Sequence, residues 1–230
     1  MKMFFKWFVG VTVSLIVFSI VFGLLQHESR PVLTQQGNGD ALAEKMLKAL
    51  GEKAFQETRF LEWSFRNGTH KYHWDKEKHV VMVSWEDVEV ELHLKDPEKS
   101  KIVSMPKNAQ AIEYILKARQ LFNNDSFWLV APYKIFDPGT TRSEVQLENG
   151  HKGLFVTYAS GGDTPGDSYL WHLNEYNIPV AYQMWVKIIP IGGIKATWED
   201  WISTESGALL PQNHRLGPLR LGMGKVKGYN

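Results

Sequence analysis

Between residues 61 and 95 apolar and polar side chains alternate with a period of two, and few folds accommodate that pattern. Leu61, Trp63 and Phe65 alternate with Glu62, Ser64 and Arg66; Tyr72 and Trp74 alternate with Lys71, His73 and Asp75. Val88, Val90, Leu92 and Leu94 alternate with Glu89, Glu91, His93 and Lys95. Successive side chains of a strand face opposite ways, so each run reads as a strand with one dry and one wet face. Asn67-Gly68 is a strong two-residue turn signal, and Asp75 to Lys78 and Glu86-Asp87 read as the next turns. The pattern predicts a meander of four antiparallel strands.

Helices flank the meander. Asp40 can cap a helix, after which Leu42, Met46, Ala49 and Leu50 share a face and Gly51 offers a left-handed end, with a brief continuation through Phe55. A second helix follows Pro106, with Ile112, Ile115, Leu116 and Phe122 on one face and Asn123-Asn124-Asp125 as its stop. Strands are then predicted near Phe127–Val130, Val145–Leu147, Leu154–Ala159, Tyr169–Leu173, Val180–Val186, Ala196–Thr204 and Leu209–Leu216. Leu216 to Asn230 reads as a basic, glycine-rich tail, solvated or touching anionic lipid heads. The whole is an α+β chain with a large antiparallel sheet of about 8–11 strands and two covering helices.

Ahead of this region, Phe8 to Leu25 is 18 residues without a charge. At ~1.5 Å per residue the run reaches about 27 Å, enough to span a ~30 Å hydrocarbon core. A cleaved signal peptide usually has a shorter apolar stretch and a small-x-small site, which Gly23-Leu24-Leu25-Gln26-His27 does not supply. Residues 1–30 therefore read as a signal anchor and transmembrane helix, 31–39 as a polar tether, and 40–230 as one domain. Lys2 and Lys6 precede the run and only Arg30 lies soon after it, so the N-terminus is expected in the cytoplasm and the domain outside.

Composition excludes several functions. Residues 31–230 carry 23 basic and 24 acidic groups, a balance unsuited to a dedicated nucleic-acid binder. With no cysteine there is no disulfide scaffold, thiolate metal site, lipid-attachment cysteine or cysteine nucleophile. His70, His73 and His79 lie near Asp75, but on a strand His70 and His73 face opposite ways, and a structural metal needs a tighter set. Gly161 to Asp167 has two carboxylates for calcium, yet its glycines and Asp-Thr-Pro-Gly are also what a long turn requires. Glu199 and Asp200 are adjacent and cannot act as an acid–base pair from one strand, no G-x-S-x-G occurs, and Gly222-Met223-Gly224-Lys225 lacks the first glycine of a phosphate loop. No enzyme activity and no cofactor is expected.

Residues 31–230 hold 23 aromatics, including eight of the nine tryptophans. They either fill a core or line an apolar ligand cavity, and both uses place the same residues on the same strand faces. Three stretches carry a resemblance: ALAEKMLKALG (Ala41–Gly51) leading into the aromatic strand Arg59–Phe65, NDSFWLVAPYKIFDPG (Asn124–Gly139), and WEDWISTESGALLP (Trp198–Pro211). With the order of strands, they make residues 40–216 resemble the LolA-like half-barrel superfamily of bacterial periplasmic lipid- and lipoprotein-binding proteins, as an uncharacterised Bacteroidetes-type member. The resemblance implies an antiparallel sheet curled into an incomplete barrel with helices plugging its open side. It also implies an apolar ligand, a membrane lipid or lipoprotein acyl chain, held by a periplasmic domain on an inner-membrane anchor. Under that reading the cavity is lined by Trp63, Phe65, Tyr72, Trp74, Val90, Leu92, Tyr169, Trp171, Tyr182 and Met184, with Ile112 and Leu116 on the lid helix Ile112–Phe122. The alternative is an envelope protein-interaction or sensor module with a closed core and no ligand.

Overall fold

The computed structural model describes Trp7, Thr12 and residues 26–33, 38–107, 110–161 and 164–230. Apart from Thr12, the apolar run 8–25 lies outside the described residues, as do Gly162 and Asp163 of the loop weighed for calcium. Among the described residues no helix is long and apolar enough to cross a membrane.

The predicted meander forms as β1 (Phe60–Phe65), β2 (His70–Asp75), β3 (Val80–Trp85) and β4 (Val88–His93), followed by a short β5 (Lys101–Ser104). Glu86-Asp87 is a two-residue turn, with Glu86 at φ 49°. Asn67-Gly68 instead sits inside a four-residue turn, because Phe65 pairs with His70; Arg66, Asn67 and Gly68 all take positive φ. With a last strand, β15 (Lys227–Tyr229), beside β1, the order β15-β1-β2-β3-β4-β5 makes a six-stranded sheet.

A second sheet, of seven strands, has the order β14-β13-β10-β9-β8-β7-β6. Its strands are β6 (Thr140–Gln146), β7 (Lys152–Tyr158), β8 (Asp167–Leu173), β9 (Pro179–Trp185), β10 (Ile194–Thr197), β13 (Asn213–Leu216) and β14 (Leu219–Gly222). The small pair β11 (Ile202–Ser203) and β12 (Leu209–Leu210) stands apart, because Asp200 at φ 55° breaks the expected strand 196–204. Every pairing among the described strands is antiparallel. The chain is thus α+β with large antiparallel sheets, and they do not close into a barrel.

The residues read as a C-terminal tail are structural. After β14 the chain crosses from one sheet to the other and β15 (Lys227–Tyr229) pairs with β1. Ser64 N–H donates to Met223 O across the seam, and Met223 and Val226 are buried there. Lys227 and Tyr229 are held by the Glu62 carboxylate at 2.5 and 2.6 Å. Pairing uses the backbone, so a glycine-rich, basic segment can complete a sheet edge without an apolar signature.

Helix α1 (Asp40–Ala49) buries Leu42, Ala43, Met46 and Leu47 and packs beside β6. Asp40 does not cap it; Gly39 holds that position and Asp40 pairs with Arg142 Nε at 2.5 Å. Gly51, at φ 72°, turns the chain into the short α2 (Glu52–Glu57), as its position predicts.

The expected second helix is α3, and it runs Ala111–Val130. Asn123-Asn124-Asp125 do not stop it, and the strand expected at Phe127–Val130 is its last turns. Asp125 is buried and finds partners across the core, so its carboxylate does not compete for the helix backbone. The helix packs on β3, β4 and β5.

Candidate functional site

The space between the two sheets holds one continuous apolar cluster. Trp63, Phe65, Tyr72, Val90 and Leu92 enter it from the first sheet, and Tyr169, Trp171, Tyr182 and Met184 from the second, all buried. Trp74 packs against the cluster half-buried. The structure therefore brings these ten expected residues together. It does not bring in the other two: Ile112 is 59 % exposed and Leu116 55 %. The buried stripe of α3 includes Ala118, Phe122, Asp125, Ser126 and Leu129. Leu116 is rotated about 100° from Ile115, which with Tyr114 packs half-buried against the core, and Ile112 lies with Leu116 on the exposed side of the first turns.

The sequence places Phe122 on this helix but misses its last turns, residues 123–130, through which α3 touches both sheets. Phe122 lies 5.2 Å from the Trp74 ring and 6.2 Å from Trp63. Trp128 reaches Phe65 at 6.3 Å on one side and Tyr182 at 5.6 Å on the other. Phe127 lies 4.9 Å from Tyr169. The signal is present in Phe122, Ser126 and Leu129 at i, i+4, i+7 spacing, but Asn123-Asn124-Asp125 masks it.

A polar latch fixes the middle of this helix. Asp125 Oδ2 accepts from the Tyr72 hydroxyl at 2.5 Å and from His70 Nδ1 at 2.6 Å, and Oδ1 accepts from Asn124 Nδ2 at 2.8 Å. Burial and the neighbouring carboxylate both push the Tyr72 phenol well above its usual range, so it acts as a fixed donor. His73 and Asp75 take no part. Asp75 is paired with Arg59 at 3.0 Å, and no group of three metal-capable side chains converges among the described residues. Asp167 of the glycine loop spends its carboxylate on Lys187 N–H, at 2.9 Å, and on the Thr164 hydroxyl.

Several buried polar atoms make no hydrogen bond among the described residues. They are the indole nitrogens of Trp63, Trp74, Trp85, Trp171 and Trp198, the hydroxyl of Tyr158 and Nε2 of His214. Of these rings, Trp63 and Trp74 face Phe122, Trp85 stacks on Tyr114 at 6.2 Å, Tyr158 meets Phe127 at 5.7 Å and His214 lies 5.3 Å from Trp128, so α3 covers five of the seven groups. A separate polar groove of about 590 Å³ lies at the seam, lined by residues including Ser64, Asn67, Gln212 and Arg220. None of the residues expected to line an apolar cavity borders it.

No protein-family model matches the chain, and a search of curated proteins finds no relative.

Proposed function

We propose that the chain is a membrane-anchored periplasmic half-barrel, similar to the LolA-like proteins, that takes a lipid or lipoprotein acyl chain between its two sheets. In this reading the sheets are the two walls of one incomplete barrel, joined at the β14–β15 seam, and α3 is the plug that moves aside. The observation that carries it is the set of unpartnered indole and phenol groups beneath α3. Each donor left unpaired in a permanently closed core costs about 1–3 kcal/mol. An ester, amide or carboxyl group on an apolar ligand would satisfy such donors, while the surrounding rings would bury its chain at roughly 25 cal/mol per Å².

The test is a photoactivatable fatty acid incorporated into vesicles carrying the full chain. Crosslinks are expected on peptides containing Trp63 to Trp85 and Tyr169 to Met184. Crosslinks confined to residues 8–25 would refute the ligand reading.

The second reading, an interaction or sensor module with a closed core, draws on Ile112 and Leu116, which present two apolar side chains to solvent on one helix. It predicts no label in the core, and loss of a protein partner when both residues are changed to Glu.

A further inference from the structure

The segment that follows the apolar run is strapped to the outer side of the second sheet, which fixes where the run leaves the domain. Glu28 N–H donates to Gly192 O at 3.0 Å, and Gly192 N–H donates to His27 Nδ1 at 3.0 Å. Trp185 Nε1 donates to Glu28 O at 2.7 Å and Gln183 Nε2 to Glu28 Oε2 at 2.5 Å. Arg30 donates to Gly166 O at 2.9 Å. Leu33 closes a small apolar cluster with Phe155, Leu170 and Trp185. The glycines permit this approach: a Cβ at Gly192 would lie 2.4 Å from the Trp185 ring, and one at Gly193 would lie 2.4 Å from Glu28 Cβ.

His27 is two residues past Leu25, the last of the apolar run. The part of the domain it touches is the β9–β10 loop, Val186-Lys187-Ile188-Ile189-Pro190-Ile191-Gly192-Gly193. Ile188 is 74 % exposed at its tip, Ile189 and Ile191 are half-buried, and Lys187 is its one charged residue. Ile189 packs against the core, so Ile188 is the isoleucine the loop presents outward, and it stands where the chain meets the run that reads as the membrane anchor.

We propose that the β9–β10 loop docks into the lipid bilayer with Ile188 leading, so that the domain stands on the membrane at two points. The proposal rests on the reading of residues 8–25 as an anchor. Lys187 and Arg30 then sit at the level of the lipid phosphates, where cations are favoured. The opposite end of β9 points away. Its seven residues, at ~3.3 Å each, place the Asn174–Asn177 turn about 23 Å from the loop, and Tyr176 there is 68 % exposed.

Because the chain has no cysteine, one introduced thiol can be labelled uniquely. Ile188→Cys and Tyr176→Cys would each carry an environment-sensitive nitrobenzoxadiazole in the full chain, reconstituted in phosphatidylcholine–phosphatidylglycerol vesicles. The Ile188 label is expected to shift to the blue and be quenched by doxyl lipids, and the Tyr176 label to do neither. A label on Lys187→Cys should likewise be quenched, and lose that quenching when Ile188→Asp is added. An Ile188 label as wet as that at Tyr176, on protein that resists carbonate extraction, would overturn the docking and leave the anchor standing. Protein stripped by carbonate would overturn the anchor, and the docking with it.

Discussion

Asp125 is 1 % exposed and its carboxylate is satisfied by Tyr72, His70 and Asn124. Removing it leaves a buried phenol and an imidazole without their acceptor. Asp125→Ala is therefore expected to cost about 2–4 kcal/mol in urea unfolding, and Asp125→Asn, which keeps an acceptor oxygen, less. His214 gives a second residue-level prediction. It is fully buried between Trp128 and Trp198, within hydrogen-bond reach of Thr197 O at 3.0 Å, and burial lowers its imidazole to about 4. Between pH 6.5 and 4 the unfolded chain binds a proton that the folded chain refuses. The group's contribution is complete above pH 6.5 and falls by about 3 kcal/mol as the pH drops to 4. Urea midpoints measured across that range should show the slope, and His214→Gln should flatten it.

Elements differ in how much of them the sequence discloses. Three strands of the meander are legible because each has one wet face, so Trp63, Tyr72 and Val90 announce themselves by alternation, whereas β3 follows from the turns on either side of it. Strands β7, β8 and β9 are buried on both faces over most of their length, which removes the alternation and left their ends blurred. Helix α3 misleads at two places. Its polar triplet looks like a stop because nothing local shows that Tyr72 and His70 will meet Asp125. Its first apolar residues look like one buried face, although only Ile115 packs against the core and Ile112 and Leu116 face water. The strand β15 was illegible because backbone pairing to β1 needs no particular side chains. These placements predict opposite outcomes along one helix. Phe122→Ala should cost about 3–5 kcal/mol, whereas Ile112→Glu with Leu116→Glu should stay within about 0.5 kcal/mol in thermal or urea unfolding.

The whole molecule is two sheets that meet along one seam, with helices packed beside their far edges, β5 and β6. The aromatic content foretold which residues gather between the sheets, while the division into two sheets depends on long-range pairing that no local pattern encodes. The N-terminal strap sits on the outer face, away from the core, so under the proposed reading an anchor and a ligand between the sheets would not compete. The central claim is that the space under α3 accepts a lipid. Its most direct test is native mass spectrometry of residues 26–230, which keep the strap's contacts from His27 onward, exported from cells and measured before and after organic extraction. The account predicts an adduct of defined lipid mass that extraction removes and that Trp63→Ala with Trp74→Ala weakens. A clean apo mass from folded protein, before any extraction, would contradict it.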